Sequence, residues 1–467
     1  MSSASLVDSS PQLSPSLPPG PTAPAPVQLF RWLTRPIPFM EECARKYGDC
    51  FTIRFPSGPG TLVFFSNPDA VKEIFTGDPE QLRAGEANVI VRPLLGDHSL
   101  ILLDGARHQR ERRLMMPPFH GERMYVYGEA MRDITDRTID TWPVGRPFAI
   151  HPHVQQITLN VILRTVFGLA EDATLARLRT LLTDVLAAGA NPLMLVPWLQ
   201  IDLGPYSPWG KQVRRRQEID QLLFAEFARR RALDLSGRED ILSMLMQARD
   251  EDGQPLSDQH LRDELMTLLV AGHETTATSL AWMLYRILSR PDVLEKLQTE
   301  LQQVFGSGPV TPQQINKLEY LEATIKETQR VNPILPVVGR RLKTPTIIGG
   351  RTLPTGVVAM PCIYLTHHRR DLWPNPDEFK PERFLGKKPT PWEFFPFGGG
   401  NRFCLGAGFA TYEMKVVLAQ ILSRTTLRIA SKRPIRVVRR SITLAPSEGM
   451  PVIVEKRAAQ GSVMSNE

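Results

Sequence analysis

The chain has 467 residues, of which 42% are hydrophobic and 22% are charged, which is ordinary usage for a globular protein. Its net charge of +7 is too dilute over this length to indicate nucleic-acid binding, and four cysteines are too few for a disulfide-stapled fold. No uninterrupted apolar run is long enough to predict a membrane anchor, so we expect a cytoplasmic protein.

The first 26 residues contain seven Pro and seven Ser and neither Lys nor Arg. A secretory signal has a basic start and an apolar core, and this segment has neither. We therefore expect a flexible, partly extended leader over residues 1–26, one large domain over residues 27–460 and a short tail over residues 461–467.

The globular part begins with two β-type runs, Phe51–Phe55 and Thr61–Phe65, whose Pro- and Gly-containing connection predicts a hairpin. Helical periodicity dominates from about Gly105 to Arg330. Short strands are expected again between residues 340 and 360 and between residues 427 and 454. Since no linker interrupts this order, the predicted fold is mainly α with small β-sheets (α+β) in a single domain.

Signatures of nucleotide binding and of serine hydrolases are absent from the sequence: there is no GxGxxG, no Walker loop and no GxSxG. The segment from Phe397 to Gly406 stands out because it reads FGGGNRFCLG. Consecutive glycines let the backbone approach a flat ligand, and Arg402 places a cation two residues before Cys404. A nearby cation and the start of a helix both favour a thiolate, so Cys404 differs from the other three cysteines.

This segment resembles the haem-binding loop of the cytochrome P450 superfamily, the haem-thiolate monooxygenases. The resemblance implies a long central helix over a haem b (iron protoporphyrin IX), with Cys404 as the iron ligand and Phe397 and Arg402 in the cofactor-binding loop. A thiolate ligand pushes electron density towards the iron and favours O–O cleavage.

Further motifs follow the order typical of the family. Glu327-Thr-Gln-Arg330 matches its ExxR pattern, and residues three apart share a helix face. Together with Arg383 in the sequence Pro-Glu-Arg-Phe, the resemblance implies a Glu327–Arg330–Arg383 cluster that supports the haem loop.

A long helix predicted from about Ser257 to Leu288 has a centre that matches the distal-helix pattern of the family, AGHETT. Gly272 is expected to leave room for oxygen beside this helix, and Thr275 can hydrogen-bond to the carbonyl of residue 271. The resemblance implies that Glu274 and Thr275 are the catalytic pair that delivers protons during oxygen activation.

Cations predicted to hold the haem propionates come from three regions of the chain. His108 and Arg112 are four residues apart and point the same way from a helix. The resemblance suggests that both contact propionates together with Arg340 and Arg402, because guanidinium groups suit carboxylates.

The substrate pocket is assigned by analogy of position alone. Most of its residues are apolar, so we expect a lipophilic small molecule such as a fatty acid, a terpene or a steroid. The candidate pocket residues are Val89, Leu193, Met194, Thr267, Ala271, Ile334, Val337 and Met450.

The electron supply is predicted to be external, because only 63 residues follow Cys404, too few for a fused flavin reductase. We expect a soluble bacterial-type monomer that hydroxylates its substrate with electrons from NAD(P)H through a ferredoxin or flavodoxin and its reductase. Arg110, Arg113, Lys387 and Lys388 form a candidate basic docking patch. The alternatives are a haem-thiolate peroxygenase or isomerase, against which the acid–alcohol pair argues, and a haem-thiolate sensor or electron carrier without chemistry.

Overall fold

The computed structural model describes residues 16–119, 121, 123–168, 173–189, 200–249, 253–386 and 388–459. These residues form sixteen α-helices and twelve short β-strands. The helices are α1 (Ala25–Thr34), α2 (Pro36–Tyr47), α3 (Pro68–Thr76), α4 (Ala84–Ala87), α5 (Arg92–Leu95), α6 (Gly105–Met115), α7 (Arg123–Asp140), α8 (Ile150–Phe167), α9 (Ala173–Gly189), α10 (Pro208–Arg231), α11 (Ile241–Gln247), α12 (Asp258–Leu288), α13 (Pro291–Phe305), α14 (Glu319–Val331), α15 (Ile363–His367) and α16 (Ala407–Arg424). The strands are β1 (Cys50–Arg54), β2 (Thr61–Phe65), β3 (Leu82–Arg83), β4 (Pro147–Ala149), β5 (Arg340–Leu342), β6 (Thr346–Ile348), β7 (Arg351–Leu353), β8 (Val358–Pro361), β9 (Thr425–Ile429), β10 (Val437–Arg440), β11 (Thr443–Pro446) and β12 (Pro451–Arg457).

The strands form four small sheets at the edges of the helical body. The largest has the order β1-β2-β8-β5-β3, and the others pair β4-β12-β9, β10-β11 and β6-β7. Strands β1 and β2 form the predicted hairpin, in which Cys50 pairs with Phe65. Strand β2 also runs parallel to β8, so the sheet joins chain segments nearly 300 residues apart. The predicted class, mainly α with small sheets, is confirmed.

Helix α12 is the centre of the molecule. It begins after Ser257, whose hydroxyl accepts a hydrogen bond from the N–H of His260, and Pro291 opens the next helix. It packs against α8, α14, α16, α10 and α13. Since partners cover most of its surface, both of its halves are buried, and the predicted long central helix is confirmed. Among the described helices, none is both long enough and apolar enough to cross a bilayer.

The predicted leader is more ordered than expected over its last part. The backbone N–H of Ser16 donates to the carbonyl of Thr352 (3.1 Å), and the N–H of Thr52 donates to the carbonyl of Pro19 (2.9 Å). The Thr52 hydroxyl also donates to the carbonyl of Pro18 (2.7 Å). The expectation of a flexible leader extending to residue 26 is therefore wrong for residues 16–26, because sheet-edge backbone groups bind the proline-rich segment and α1 begins at Ala25.

Candidate active site

The loop that carries Cys404 is clamped between α3 and the start of α16. The N–H of Cys404 donates to the carbonyl of Phe397 at 3.0 Å. A Cβ on Gly399 would lie 2.3 Å from the Phe75 ring, and one on Gly400, whose φ is +65°, would lie 2.0 Å from the Phe75 carbonyl oxygen. Two of the three glycines are thus required by close approach to α3, a reason that the sequence did not show.

The charge on Cys404 depends on a balance between burial and two neighbours. Burial raises the pKa of the Cys404 thiol, while the N–H of Gly406 and the guanidinium of Arg112 lower it. The sequence predicted that Arg402 would be the neighbouring cation. Arg402 instead forms an ion pair with Asp104 (2.5 Å) and donates to the carbonyl of Leu100. Arg112 on α6 is therefore the cation that favours the thiolate.

The four predicted propionate ligands act on one another electrostatically, and together they carry more positive charge than nearby acids balance. Burial, followed by Arg402, Arg112 and Arg340, lowers the pKa of His108 to about 3. Arg340 is 4% exposed and donates to the carbonyls of Gly339 (2.9 Å) and Gly399 (3.2 Å). Burial, and then Arg402, lowers the pKa of Arg340 to about 9.

These residues fit a haem. Nδ1 of His108 is buried and finds no hydrogen-bond partner among the described residues. Asp104 is the acid that acts on Arg340 and pairs with Arg402. A buried cationic cluster beside a thiol requires an anionic ligand, and a haem supplies two propionates and an iron for the thiolate.

Asp104 is a functional neighbour that sequence reasoning missed. It lies directly before α6, and its carboxylate accepts hydrogen bonds from the N–H groups of Gly85 (2.8 Å) and Glu86 (3.0 Å). It therefore ties α4 to Arg402. Its place at a helix start was a signal for a cap, but nothing in the sequence connected it with Arg402.

The middle of α12 is open, although the helix is buried on both sides of it. Residues 261–267 and 276–284 are buried, whereas Ala271 is exposed. The Thr275 hydroxyl donates to the Ala271 carbonyl at 2.5 Å, the hydrogen bond that the spacing predicted. Gly272 differs from expectation, because a Cβ there would lie 3.3 Å from Ile162 of α8. Its missing side chain permits close packing of two helices and does not open space for oxygen.

Glu274 is held by groups from three other parts of the chain. Gln155 of α8 donates to its Oε2, and Arg440 of β10 donates to its Oε1 at 3.3 Å. His151 lies 3.9 Å from Oε1. Burial raises the pKa of Glu274, while Arg440 and the hydrogen bonds lower it. The sequence missed these partners because they are distant along the chain and belong to no recognisable motif.

The ExxR residues form a buried ion pair. Arg330 donates to both carboxylate oxygens of Glu327 at 2.8 Å, and both side chains have no exposed surface. Arg330 also donates to the carbonyl of His367 (2.9 Å), and Nε of Arg383 lies 3.4 Å from Glu327. The N–H of Lys380 donates to Glu327 at 2.9 Å. This cluster joins α14 to the segment that leads into the cysteine loop.

The structure divides the predicted pocket residues. Val89 is 38% exposed, and Ala271, Ile334 and Val337 are exposed or half-buried. Met450 is fully buried in the main core and cannot line an open pocket, so its assignment is wrong. Thr267 is also buried and donates to the hydroxyl of Ser99 at 2.7 Å, so its side chain is committed to packing. Leu193 and Met194 lie outside the described residues.

Comparison with known proteins agrees with this site. The family profile named Cytochrome P450 matches residues 18–451. A putative cytochrome P450 135B1 of Mycobacterium tuberculosis is 40% identical over 94% of this chain and 92% of its own length. A putative cytochrome P450 135A1 of the same species is 36% identical, covering 94% and 95%.

Solved structures show the same fold. The structure of retinoic acid-bound cyanobacterial CYP120A1 matches with a TM-score of 0.85 and 25% identity, over 95% of this chain and all of that one. The haem domain of cytochrome P450DA matches with a TM-score of 0.84 and 23% identity, over 95% and 98%. The chain belongs to the cytochrome P450 family, whose members are haem b monooxygenases.

Proposed function

We propose that this monooxygenase hydroxylates a lipophilic small molecule with electrons from a separate ferredoxin or flavodoxin. The observation that carries the proposal is the open stretch of α12 at Ala271, with Thr275 one turn away and Glu274 beside it. Apolar residues dominate the proposed pocket, which suits a substrate without much polar surface. The retinoic acid in the CYP120A1 structure supports testing lipophilic acids beside terpenes and steroids.

Cys404 is proposed as the iron ligand, and His108, Arg112, Arg340 and Arg402 as the groups that orient the propionates. When bound, the haem activates O₂ so that one oxygen atom enters the substrate and the other leaves as water. Arg112 has a second part, because its positive charge stabilises the Cys404 thiolate.

Glu274 and Thr275 are proposed to supply the protons that this chemistry consumes. The raised pKa of Glu274 lets its carboxyl hold a proton at a higher pH than a solvent-exposed glutamate does. Its Oε1 meets Arg440, whose side chain is 33% exposed, so this oxygen lies at the end nearer to solvent. The Thr275 hydroxyl, hydrogen-bonded to the Ala271 carbonyl, lies at the other end.

A binding and turnover panel tests the substrate class. Fatty acids, retinoids, terpenes and steroids are titrated into the ferric holoenzyme, and binders are then incubated with surrogate ferredoxin, reductase and NAD(P)H. We expect a substrate-induced spectral shift and a hydroxylated product from at least one lipophilic class. Equal product formation with peroxide alone would favour the peroxygenase alternative, and binding of polar compounds alone would contradict a lipophilic substrate.

Charge reversal tests the proposed electron donor. Arg110 and Arg113 are exposed on α6, whereas Lys387 of the candidate docking patch lies outside the described residues. We expect Arg110→Glu with Arg113→Glu to slow reduction by an acidic ferredoxin and to reduce its dependence on salt. A matched reversal at Arg370, another exposed arginine, serves as the control. Unchanged reduction kinetics in the double variant would remove α6 from the docking surface.

A further inference from the structure

A cluster of three potential metal ligands joins α6 to the first half of α12. Glu111 comes from α6, and His260 and Glu264 come from successive turns of α12. One ligand atom from each residue lies within 4.8 Å of the other two, and Nε2 of His260 is 3.0 Å from Oε2 of Glu111. The four-residue spacing places His260 and Glu264 on one helix face.

The ligand atoms of this cluster are buried and lack hydrogen bonds. Glu264 has no exposed surface, and neither of its oxygens makes a hydrogen bond with the described residues. The same holds for Oε2 of Glu111 and Nε2 of His260. The N–H of Leu100 lies close enough to favour the charged form of Glu264, although it does not meet hydrogen-bond geometry. Buried carboxylate oxygens without donors are costly, so this arrangement points to a ligand.

No side-chain cation neutralises the cluster within the described part of the chain. Arg262 pairs with Asp220 and Asp263, and His98 pairs with Asp263. None of the ion pairs between described residues brings a Lys or an Arg to Glu111 or Glu264. Burial, with further contributions from Glu111 and Asp263, raises the pKa of Glu264 to about 8. Two ionised carboxylates and a neutral imidazole carry a charge that one divalent cation would cancel.

We propose that Glu111, His260 and Glu264 bind a structural zinc ion that ties α6 to α12. Imidazole nitrogen and carboxylate oxygen bind zinc at about 2.0–2.2 Å, so tetrahedral ligand atoms lie about 3.3 Å apart. The observed span of 4.8 Å needs only a small side-chain movement to reach that spacing. Water completes the shell. Helix α6 also carries His108 and Arg112, so the ion fixes the helix that presents both groups to the haem site.

Metal analysis of the holoenzyme tests the proposal. The protein is produced without a histidine tag, so that the haem occupies Cys404, and is equilibrated in metal-depleted buffer before zinc and iron are measured by mass spectrometry. We expect about one zinc per chain beside the haem iron. X-ray absorption at the zinc edge should show nitrogen and oxygen neighbours. Sulfur near 2.3 Å would place the zinc on a cysteine and overturn the assignment.

Two ligand variants and one matched control complete the test. Glu264→Gln and His260→Asn are each expected to weaken zinc binding at least about 10-fold in a competition titration after chelator treatment. His260→Asn changes a partly exposed position and so remains informative if Glu264→Gln folds poorly. Glu413→Gln is the control, because Glu413 is an equally buried glutamate outside the cluster. Zinc binding that is absent from the wild type, or unchanged in both ligand variants, would overturn the proposal and identify the cluster as proton-sharing carboxyls.

Discussion

Single residues around the site separate into those with local partners and those with distant ones. Thr275 and Ala271, and Glu327 and Arg330, are one helical turn apart, so the helix alone brings each pair together. These contacts could be predicted from the sequence. The exchange of Arg402 for Arg112 as the cation beside Cys404 could not, because it depends on how α6 packs against the cysteine loop.

Thr275→Ala tests the proton-delivery function at this scale. The variant loses the hydroxyl that donates to Ala271, so oxygen consumption should continue while product per oxygen consumed falls severalfold. The measurement compares product, NAD(P)H oxidation and oxygen uptake in one reaction. Thr135→Ala is the matched control, since Thr135 makes the same kind of bond to Met131 (2.7 Å) in α7. Tight coupling in Thr275→Ala would contradict a part in proton delivery.

Glu413 of α16 gives a pH prediction that does not depend on catalysis. Complete burial raises the pKa of its carboxyl well above the usual value. Above its usual pKa, the group is protonated in the folded chain and ionised in the unfolded chain, so its contribution to stability falls as pH rises. Glu413→Gln removes this loss. We expect wild-type stability relative to the variant to fall by up to about 1.4 kcal/mol per pH unit between pH 5 and 8.

Urea unfolding of both proteins at each pH measures that difference. All other titrating groups are shared, so the comparison isolates the carboxyl. A constant difference between wild type and variant across this range would show that Glu413 ionises normally in the folded protein.

At the scale of elements, boundaries with chemical signals were predictable and contacts between elements were not. Ser257 and Pro291 marked the ends of α12, and the turn between β1 and β2 marked a hairpin. By contrast, Met450 has an apolar side chain that suits a core and a pocket equally, and only the packing of the chain decides between them. The partners of Glu274 on α8 and β10 were hidden for the same reason.

The join between α14 and the segment before the cysteine loop depends on Glu327. Glu327→Gln leaves Arg330 buried beside a neutral group, and breaking a buried ion pair typically costs about 3–5 kcal/mol. We expect a corresponding loss of unfolding free energy and less haem per chain. Lys326→Met on the same helix is the control, because it removes an exposed contact with Glu322 (2.6 Å) and should cost less than about 1 kcal/mol. Equal effects of the two variants would show that the buried cluster gives no special support.

At the scale of the whole molecule, the chain order predicted a single helical domain, but the closure of its sheets depends on remote segments. Strand β2 takes its parallel neighbour, β8, from the other side of the helical body, and residues 16–19 pair with both β1 and β7. Composition indicated a proline-rich segment without its own secondary structure, and this is correct for residues 16–22. It could not indicate that sheet edges would hold that segment in place.

Gly20→Ala tests whether this docked segment stabilises the molecule. A Cβ at residue 20 would lie 1.9 Å from the carbonyl oxygen of Thr52, so the segment must move and lose its hydrogen bonds to Thr52. Two hydrogen bonds at about 1 kcal/mol each suggest a loss of about 1–3 kcal/mol in unfolding free energy. Deletion of residues 1–24 should cost at least as much, whereas Gly20→Ala in that truncated chain is no longer possible, which confines the effect to the docked segment. A truncated protein as stable as the full chain would mean that the segment binds the sheets without stabilising them.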